Sequence, residues 1–252
     1  GAWSEDGSSQ HFRLRSVGPQ QNFAAMGNLC TGPKKALIVA TSAKSMDGHE
    51  TGAWSEEITG PYYVFKDAGC VVRVCSIAGG DIPIDAGSLT KDFKTENDTR
   101  FEKEDIRLLK NTDQLKTLDV TAYDIVFFSG GHGTCVDFPT VEVGATLSKA
   151  FAAGKVVATV CHGPMALVCA KAPDGTPLVK GKKIACFTDV EEEQVGLHTK
   201  VPFLLASKLK SLGAQLEGSD PWTDKAVIDG KLVTGQNPQS SVSVAKLALA
   251  AA

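Results

Sequence analysis

Val156-Val157-Ala158-Thr159-Val160-Cys161-His162-Gly163-Pro164 decides how this chain folds. The β-branched run reads as a buried strand. Gly163-Pro164 forces a turn, and Met165-Ala166-Leu167-Val168 continues as a helix. Cys161 therefore stands on a sharp strand-to-helix turn, the nucleophile elbow that lifts a side chain into a cleft. A helix N-terminus behind the sulfur favours a thiolate, the reactive form. The alternative is a cysteine buried in the core, where free cysteines are common. Cys-His-Gly-Pro at a strand end is an unusual way to fill a core.

Working outward, strands and helices alternate on both sides of this stretch. Ala36–Thr41 reads as a strand, Glu56–Ala68 as a helix closed by Gly69, and Val71–Ser76 as a second strand. Ile125–Ser129 is a strand ending in Gly130-Gly131-His132-Gly133, and Val141–Ala153 is a helix closed by Gly154. Beyond the elbow, Lys183–Phe187 reads as a strand and Pro202–Leu212 as a helix capped by Gly213. Ala226–Thr234 is a hairpin around Asp229-Gly230, and Ser240–Ala251 is a closing helix. Such alternation predicts an α/β fold with a doubly wound, mostly parallel sheet, flavodoxin-like, with helices on both faces. Ligands bind such sheets beyond the carboxyl ends of the strands, where Cys161, the 130–133 loop and the loop before Glu57 all fall. The charged stretch 92–119 reads as a small helical insertion over one edge, a candidate lid.

The domain itself is expected to run over residues 35–252. Residues 1–34 read as a leader or arm. No acidic residue occurs from Gly7 to Met46, which suits a transit peptide. A native start at Met26 would instead give Met26-Gly27-Asn28-Leu29-Cys30-Thr31, a myristoylation pattern. Gly1-Ala2-Trp3-Ser4-Glu5-Asp6 nearly repeats Gly52-Ala53-Trp54-Ser55-Glu56-Glu57.

Composition narrows the class. The 252 residues are 42% hydrophobic and 22% charged, ordinary values for a globular domain with a sizeable core. A net charge of -3 gives no electrostatic footprint for nucleic acid. No apolar run approaches a bilayer span. The 7 cysteines are odd in number, irregularly spaced and free of C-x-x-C, which points to free thiols in a reducing, cytoplasmic setting. An organellar location follows if residues 1–34 are a targeting remnant.

Three features converge on Cys161. His162 is adjacent, and the residues alone leave it either a proton relay or a histidine packed under the elbow. Gly130-Gly131-His132-Gly133 offers free N–H groups and close backbone approach, as an oxyanion pocket requires, or is simply a turn. Glu56-Glu57 opens a helix, where the dipole stabilises carboxylates; a solvated first turn is the plainer reading. The 5 histidines, His11, His49, His132, His162 and His198, show no ligand spacing, so no metal is expected.

The Cys161-His162 elbow, Gly130-Gly131-His132-Gly133-Thr134 followed by Asp137-Phe138-Pro139, and Thr51-Gly52-Ala53-Trp54-Ser55-Glu56-Glu57 together resemble the class I glutamine amidotransferase-like superfamily. Within it they resemble the PfpI-related branch of glutathione-independent glyoxalase III enzymes, also described as stress chaperones and deglycases. Phe187-Thr188-Asp189-Val190-Glu191-Glu192, Gly218-Ser219-Asp220-Pro221-Trp222 and Leu232-Val233-Thr234-Gly235-Gln236-Asn237-Pro238 extend the resemblance to the C-terminus. It implies Cys161 as nucleophile, His162 as its partner, Glu57 as the carboxylate beside the thiol and Glu192 as the carboxylate that orients the histidine. Gly131 and the His162 amide would form the oxyanion pocket, with Gly130, His132 and Trp54 bordering the substrate.

The implied activity is a cofactor-free conversion of methylglyoxal and related 2-oxoaldehydes, with water, to 2-hydroxy acids. Cys161 would add to the aldehyde as a hemithioacetal, and Glu57 or His162 would move a proton between the two carbons. The resulting thioester would then be hydrolysed with His162 as base. The expected partner is the small substrate alone, in a homodimer. The rival readings are a stress-responsive holdase or protein deglycase with an oxidation-sensing cysteine, and a cysteine peptidase or amidase on the same elbow.

Overall fold

A computed structural model describes residues 32–252. Residues 1–31 of the leader, with the myristoylation pattern and one copy of the near-repeat, lie outside the described residues.

The chain opens with β1 (Lys35–Ala40), whose residues from Ala36 on are wholly buried. A small antiparallel hairpin follows, β2 (Ser45–Met46) and β3 (His49–Glu50). Then come α1 (Glu56–Asp67) and β4 (Val71–Ser76). The 92–119 region holds α2 (Glu96–Glu104), two 3₁₀ turns and β5 (Asp113–Gln114). Next are β6 (Ile125–Phe128), the short α3 (Thr134–Asp137), α4 (Val141–Ala152) and β7 (Val156–Val160). The last third contains β8 (Lys183–Ile184), α5 (Asp189–Gln194), α6 (Leu205–Ser211), β9 (Gln215–Leu216), β10 (Ala226–Asp229), β11 (Leu232–Gly235) and α7 (Ser241–Ala251).

Seven strands form one sheet in the order β10-β11-β7-β6-β1-β4-β5. All neighbours are parallel except the β10–β11 hairpin, which turns at Gly230 with φ 64°. Period-2 alternation splits the sheet's side chains between two cores. Leu37, Val39, Val126, Phe128 and Val157 pack against α4 and α6 on one face. Ala36, Ile38, Phe127, Ala158 and Val160 pack against α1 and α7 on the other. Burial of both faces is why the central strands are apolar throughout rather than alternating. The connections leave β1 in opposite directions toward β4 and β6, so the switch point lies at the carboxyl ends of β1 and β6.

Four expectations need correction. The stretch after Pro164 is not an α-helix but a five-residue 3₁₀ helix, Gly163–Leu167. It stops because the chain at Cys169 turns under α4, so close that a Cβ on Gly144 would lie 2.5 Å from the Cys169 carbonyl carbon. The strand read over 183–187 is cut to β8, which pairs with β9 outside the main sheet. Its remainder bonds the elbow side instead: Ala185 N donates to Thr234 Oγ1 at 2.9 Å and Phe187 N to Cys161 O at 3.0 Å. Helix α6 begins at Leu205 rather than Pro202. The 92–119 insertion is only partly helical, since β5 adds an edge strand beside β4. It is also tied down rather than free to act as a lid. Thr59 and Ser55 of the α1 end donate to Asp98 at 2.7 and 2.5 Å, and Lys66 and Tyr63 to Asp105 at 2.7 and 3.0 Å.

Candidate functional site

The elbow is strained where the sequence places it. Cys161 has φ 59°, a left-handed conformation that costs a non-glycine residue about 1–2 kcal/mol. Two backbone bonds hold it there: Cys161 N donates to Gly235 O at 3.0 Å, and Cys161 O accepts from Phe187 N at 3.0 Å. Gly163 is required next, because a Cβ there would meet Phe128 O at 2.4 Å. The turn delivers Sγ into the space between the ends of β6, β7 and α1, where the residue is only 3% exposed.

Glu57 reaches that space from the first turn of α1. It is wholly buried, and its Oε2 accepts from Gly130 N at 2.6 Å. Its other oxygen, Oε1, has no hydrogen-bond partner among the described residues. Burial, outweighing the contacts with the Cys161 thiol and the Gly130 amide, pushes its carboxyl up to about 8. Glu57 is therefore protonated at neutral pH, with Oε1 free to carry the proton. Burial and the Glu57 carboxyl together push the Cys161 thiol well above its ordinary value. This corrects the expectation of a thiolate settled by a helix dipole. The 3₁₀ turn is too short to supply the dipole, and Cys161 rests as a thiol, which would need a base to act as a nucleophile.

A candidate base stands beside it. His162 Nδ1 is 3.4 Å from Cys161 Sγ, and its Nε2 is 2.6 Å from Glu192 Oε2. The turn bends enough for adjacent side chains to meet. Burial, with His132 beside it and against the pull of Glu192, lowers the His162 pKa and keeps the imidazole neutral. Glu192 comes from α5, and its Oε1 lies 2.7 Å from His132 Nε2. Burial opposes its ionisation, but hydrogen bonds from both imidazoles hold Glu192 down to about 2. An ionised Glu192 fixes the Nε2–H tautomer of each ring and leaves each Nδ1 bare.

The glycine loop supplies amides. Gly131 has φ 93°, and a Cβ there would lie 2.4 Å from Gly52 O. A Cβ on Gly130 would lie 2.5 Å from Glu57 Oε2 and 2.8 Å from His162 N. The Gly131 amide is directed at the Cys161 sulfur. Among the described residues neither this amide nor that of His162 donates to a backbone oxygen, which leaves both available to an oxyanion formed at the sulfur. Trp54 N donates to Gly130 O at 3.3 Å, and its ring packs edge-on against Phe93 at 5.3 Å. Trp54 and His132 both border a cleft of about 930 Å³ that runs to the β2–β3 hairpin.

Two residues beyond those expected hold the site. Glu191, wholly buried, accepts at Oε1 from Trp222 N, Gln236 Nε2 and Asn237 Nδ2 at 2.9, 3.1 and 2.9 Å. At Oε2 it accepts from Thr188, closing a capping box that starts α5 and so aims Glu192. The Thr188-x-x-Glu191 spacing is the sequence signal for that box. Asp137 accepts from Thr41 Oγ1 and Ser42 N at 2.9 and 2.8 Å, fastening the glycine loop to the end of β1; no local signal marks it. Glu56 is also not a solvated first-turn residue. It is 9% exposed and bonds Thr95 and Asn97, which makes it an anchor for the insertion.

Histidine spacing was misleading about clustering. The fold brings His132, His162 and Glu192 together with ligand atoms within 4.8 Å of one another, a set that could hold a cation. Each Glu192 oxygen already takes an N–H from one ring, however. A cation would displace both protons and reverse the tautomers, putting a proton on the His162 nitrogen that faces Cys161. Metal binding at this set and removal of the Cys161 proton by His162 therefore compete for the same imidazole. EDTA is expected to leave activity unchanged; activity lost to EDTA and restored by zinc would identify a metal centre.

Residues 49–251 match the DJ-1/PfpI family. Glyoxalase 3 of Candida albicans is 35% identical over 231 residues, covering 86% of this chain and 98% of that protein. The glutathione-independent glyoxalase HSP31 of Saccharomyces cerevisiae is 36% identical over 227 residues, covering 84% and 95%. The crystal structure of glyoxalase III from Candida albicans superposes with a TM-score of 0.80 at 34% identity, over 86% of this chain and 97% of that one. No helix among the described residues is long and apolar enough to cross a membrane. With its elbow, its glycine loop and its seven-stranded sheet in place, the chain belongs to the DJ-1/PfpI family.

Proposed function

We propose that the chain is a glutathione-independent glyoxalase that converts methylglyoxal and related 2-oxoaldehydes to 2-hydroxy acids. The relatives named as glyoxalases support the reaction class. The observation that carries the mechanism is a thiol between an acid, Glu57, and a neutral imidazole, His162.

His162 Nδ1 takes the Cys161 proton as Sγ attacks the aldehyde carbon. The new oxyanion lies at the Gly131 and His162 amides, and His162 returns the proton to it as the hemithioacetal forms. His162 then removes the hydrogen from that carbon while Glu57 gives its proton to the neighbouring carbonyl oxygen, producing an enediol. Reprotonation of the second carbon by His162, with return of the hydroxyl proton of the first to Glu57, yields a thioester of the 2-hydroxy acid. The aldehyde carbon is oxidised as the ketone carbon is reduced, so no external electron carrier enters. Water then releases the product.

The test is lactate formation from methylglyoxal by the purified protein without glutathione; its absence would sink the reading. The pH profile carries a second expectation. Glu57 must hold its proton at rest, so kcat/KM should fall as pH rises through about 8. A profile flat to pH 10 would remove Glu57 as the acid.

A further inference from the structure

We propose that His132, not His162, activates the water that releases the product, so that Glu192 serves two imidazoles with separate duties. The proposal rests on the glyoxalase reading above. Both rings spend Nε2 on the same carboxylate, one at each oxygen, at 2.7 and 2.6 Å. Each is left with one bare nitrogen, Nδ1, and the two face different surroundings. His162 is wholly buried, and its Nδ1 is committed to sulfur at 3.4 Å. The bond from Glu192 is the one side-chain hydrogen bond His132 makes among the described residues. His132, by contrast, is 8% exposed and lines the cleft of about 930 Å³. The ring centroids are 4.2 Å apart, which sets His132 beside the imidazole that contacts the Cys161 sulfur and so beside an acyl group carried there.

In the step, the water gives a proton to His132 Nδ1 as its oxygen adds to the thioester carbonyl carbon. The tetrahedral oxyanion is held by the Gly131 and His162 amides. Its collapse breaks the C–S bond and frees a carboxylic acid and a Cys161 thiolate. The thiolate takes the acid's proton, the product leaves as carboxylate, and His132 returns its own proton to water in the cleft. No electrons are exchanged with an outside group. Glu192 stabilises whichever imidazolium is present, which is why one carboxylate suffices for both halves of the cycle.

His132→Gln tests this, because the amide can still donate to Glu192 Oε1 but is no base. Mixed with methylglyoxal and quenched with acid, it should show Cys161 carrying a lactyl thioester in most molecules, removable by hydroxylamine. Its kcat should fall roughly 10²-fold or more, with KM falling in parallel and kcat/KM close to that of the unmodified protein. His132→Ala should behave alike, with added imidazole restoring hydrolysis. A merely structural role for His132 predicts the opposite: lower kcat/KM, no acyl-enzyme and no rescue. That pattern, or unchanged kcat, overturns the proposal. If the unmodified protein makes no lactate, the glyoxalase reading itself has failed.

Discussion

Cys161→Ala is expected to abolish lactate formation from methylglyoxal while leaving the protein folded. Sγ is the one atom that bonds to substrate in the scheme, and every later intermediate is attached to it. The alternative nucleophile, water, gains nothing from Glu57 and His162 unless a carbonyl is already tethered between them. The fold should survive because the elbow is held by backbone bonds to Gly235 and Phe187, which alanine keeps. The left-handed φ of 59° strains alanine about as much as cysteine, so that cost cancels. What is lost is a weak contact to Glu57 and a small apolar volume, about 1 kcal/mol together. Cys161→Ser should be equally inactive, since a hydroxyl ionises less readily than the already raised thiol and its conjugate is a poorer leaving group. Circular dichroism melts and turnover assays on both variants check this. Activity above a few per cent of the unmodified protein would rule out covalent catalysis at this residue.

The elbow was legible because its signals are local. A β-branched strand, a cysteine and Gly-Pro follow one another within nine residues, and the backbone strain arises from those residues themselves. The central strands were legible for the same reason, as was the Gly230 hairpin. What could not be read was anything decided by a distant chain. The stop after Leu167 depends on Gly144 of α4 approaching Cys169. The loss of the 185–187 strand depends on the Thr234 hydroxyl and the Cys161 carbonyl taking its amides in place of a strand ladder. Glu56 looked like a solvated neighbour of Glu57 because its partners, Thr95 and Asn97, lie about forty residues away in an insertion. The thiol's elevation was hidden too, since it comes from full burial beside a carboxyl on another helix. Spacing along the chain could not reveal the His132–Glu192–His162 arrangement, because β6, β7 and α5 supply one member each or the loop that carries it.

Glu57→Gln is expected to lower kcat by roughly 10²–10⁴-fold with KM little changed. The amide keeps the shape of the carboxyl, and its oxygen can still accept from the Gly130 amide. It cannot deliver a proton to the ketone oxygen or take one back, and those transfers are made in the transition states rather than on binding. The same substitution should remove the fall in kcat/KM near pH 8 from whatever activity remains, because the group that titrates is gone. Stability supplies an independent reading with a definite sign. The carboxyl is raised from 4.5 to about 8 in the fold, so between those values the native state binds a proton that the unfolded chain does not. The unmodified protein should therefore lose stability as pH rises from 4.5 to 8, by an amount absent in Glu57→Gln. The variant's melting temperature should thus gain on the parent's across that window. Glu56→Gln separates the two neighbours. Glu56 ties the 92–119 insertion to α1 and touches no reacting atom, so its variant should melt lower while keeping kcat. If Glu56→Gln is the inactive variant and Glu57→Gln turns over normally, the acid beside the thiol has been assigned to the wrong residue.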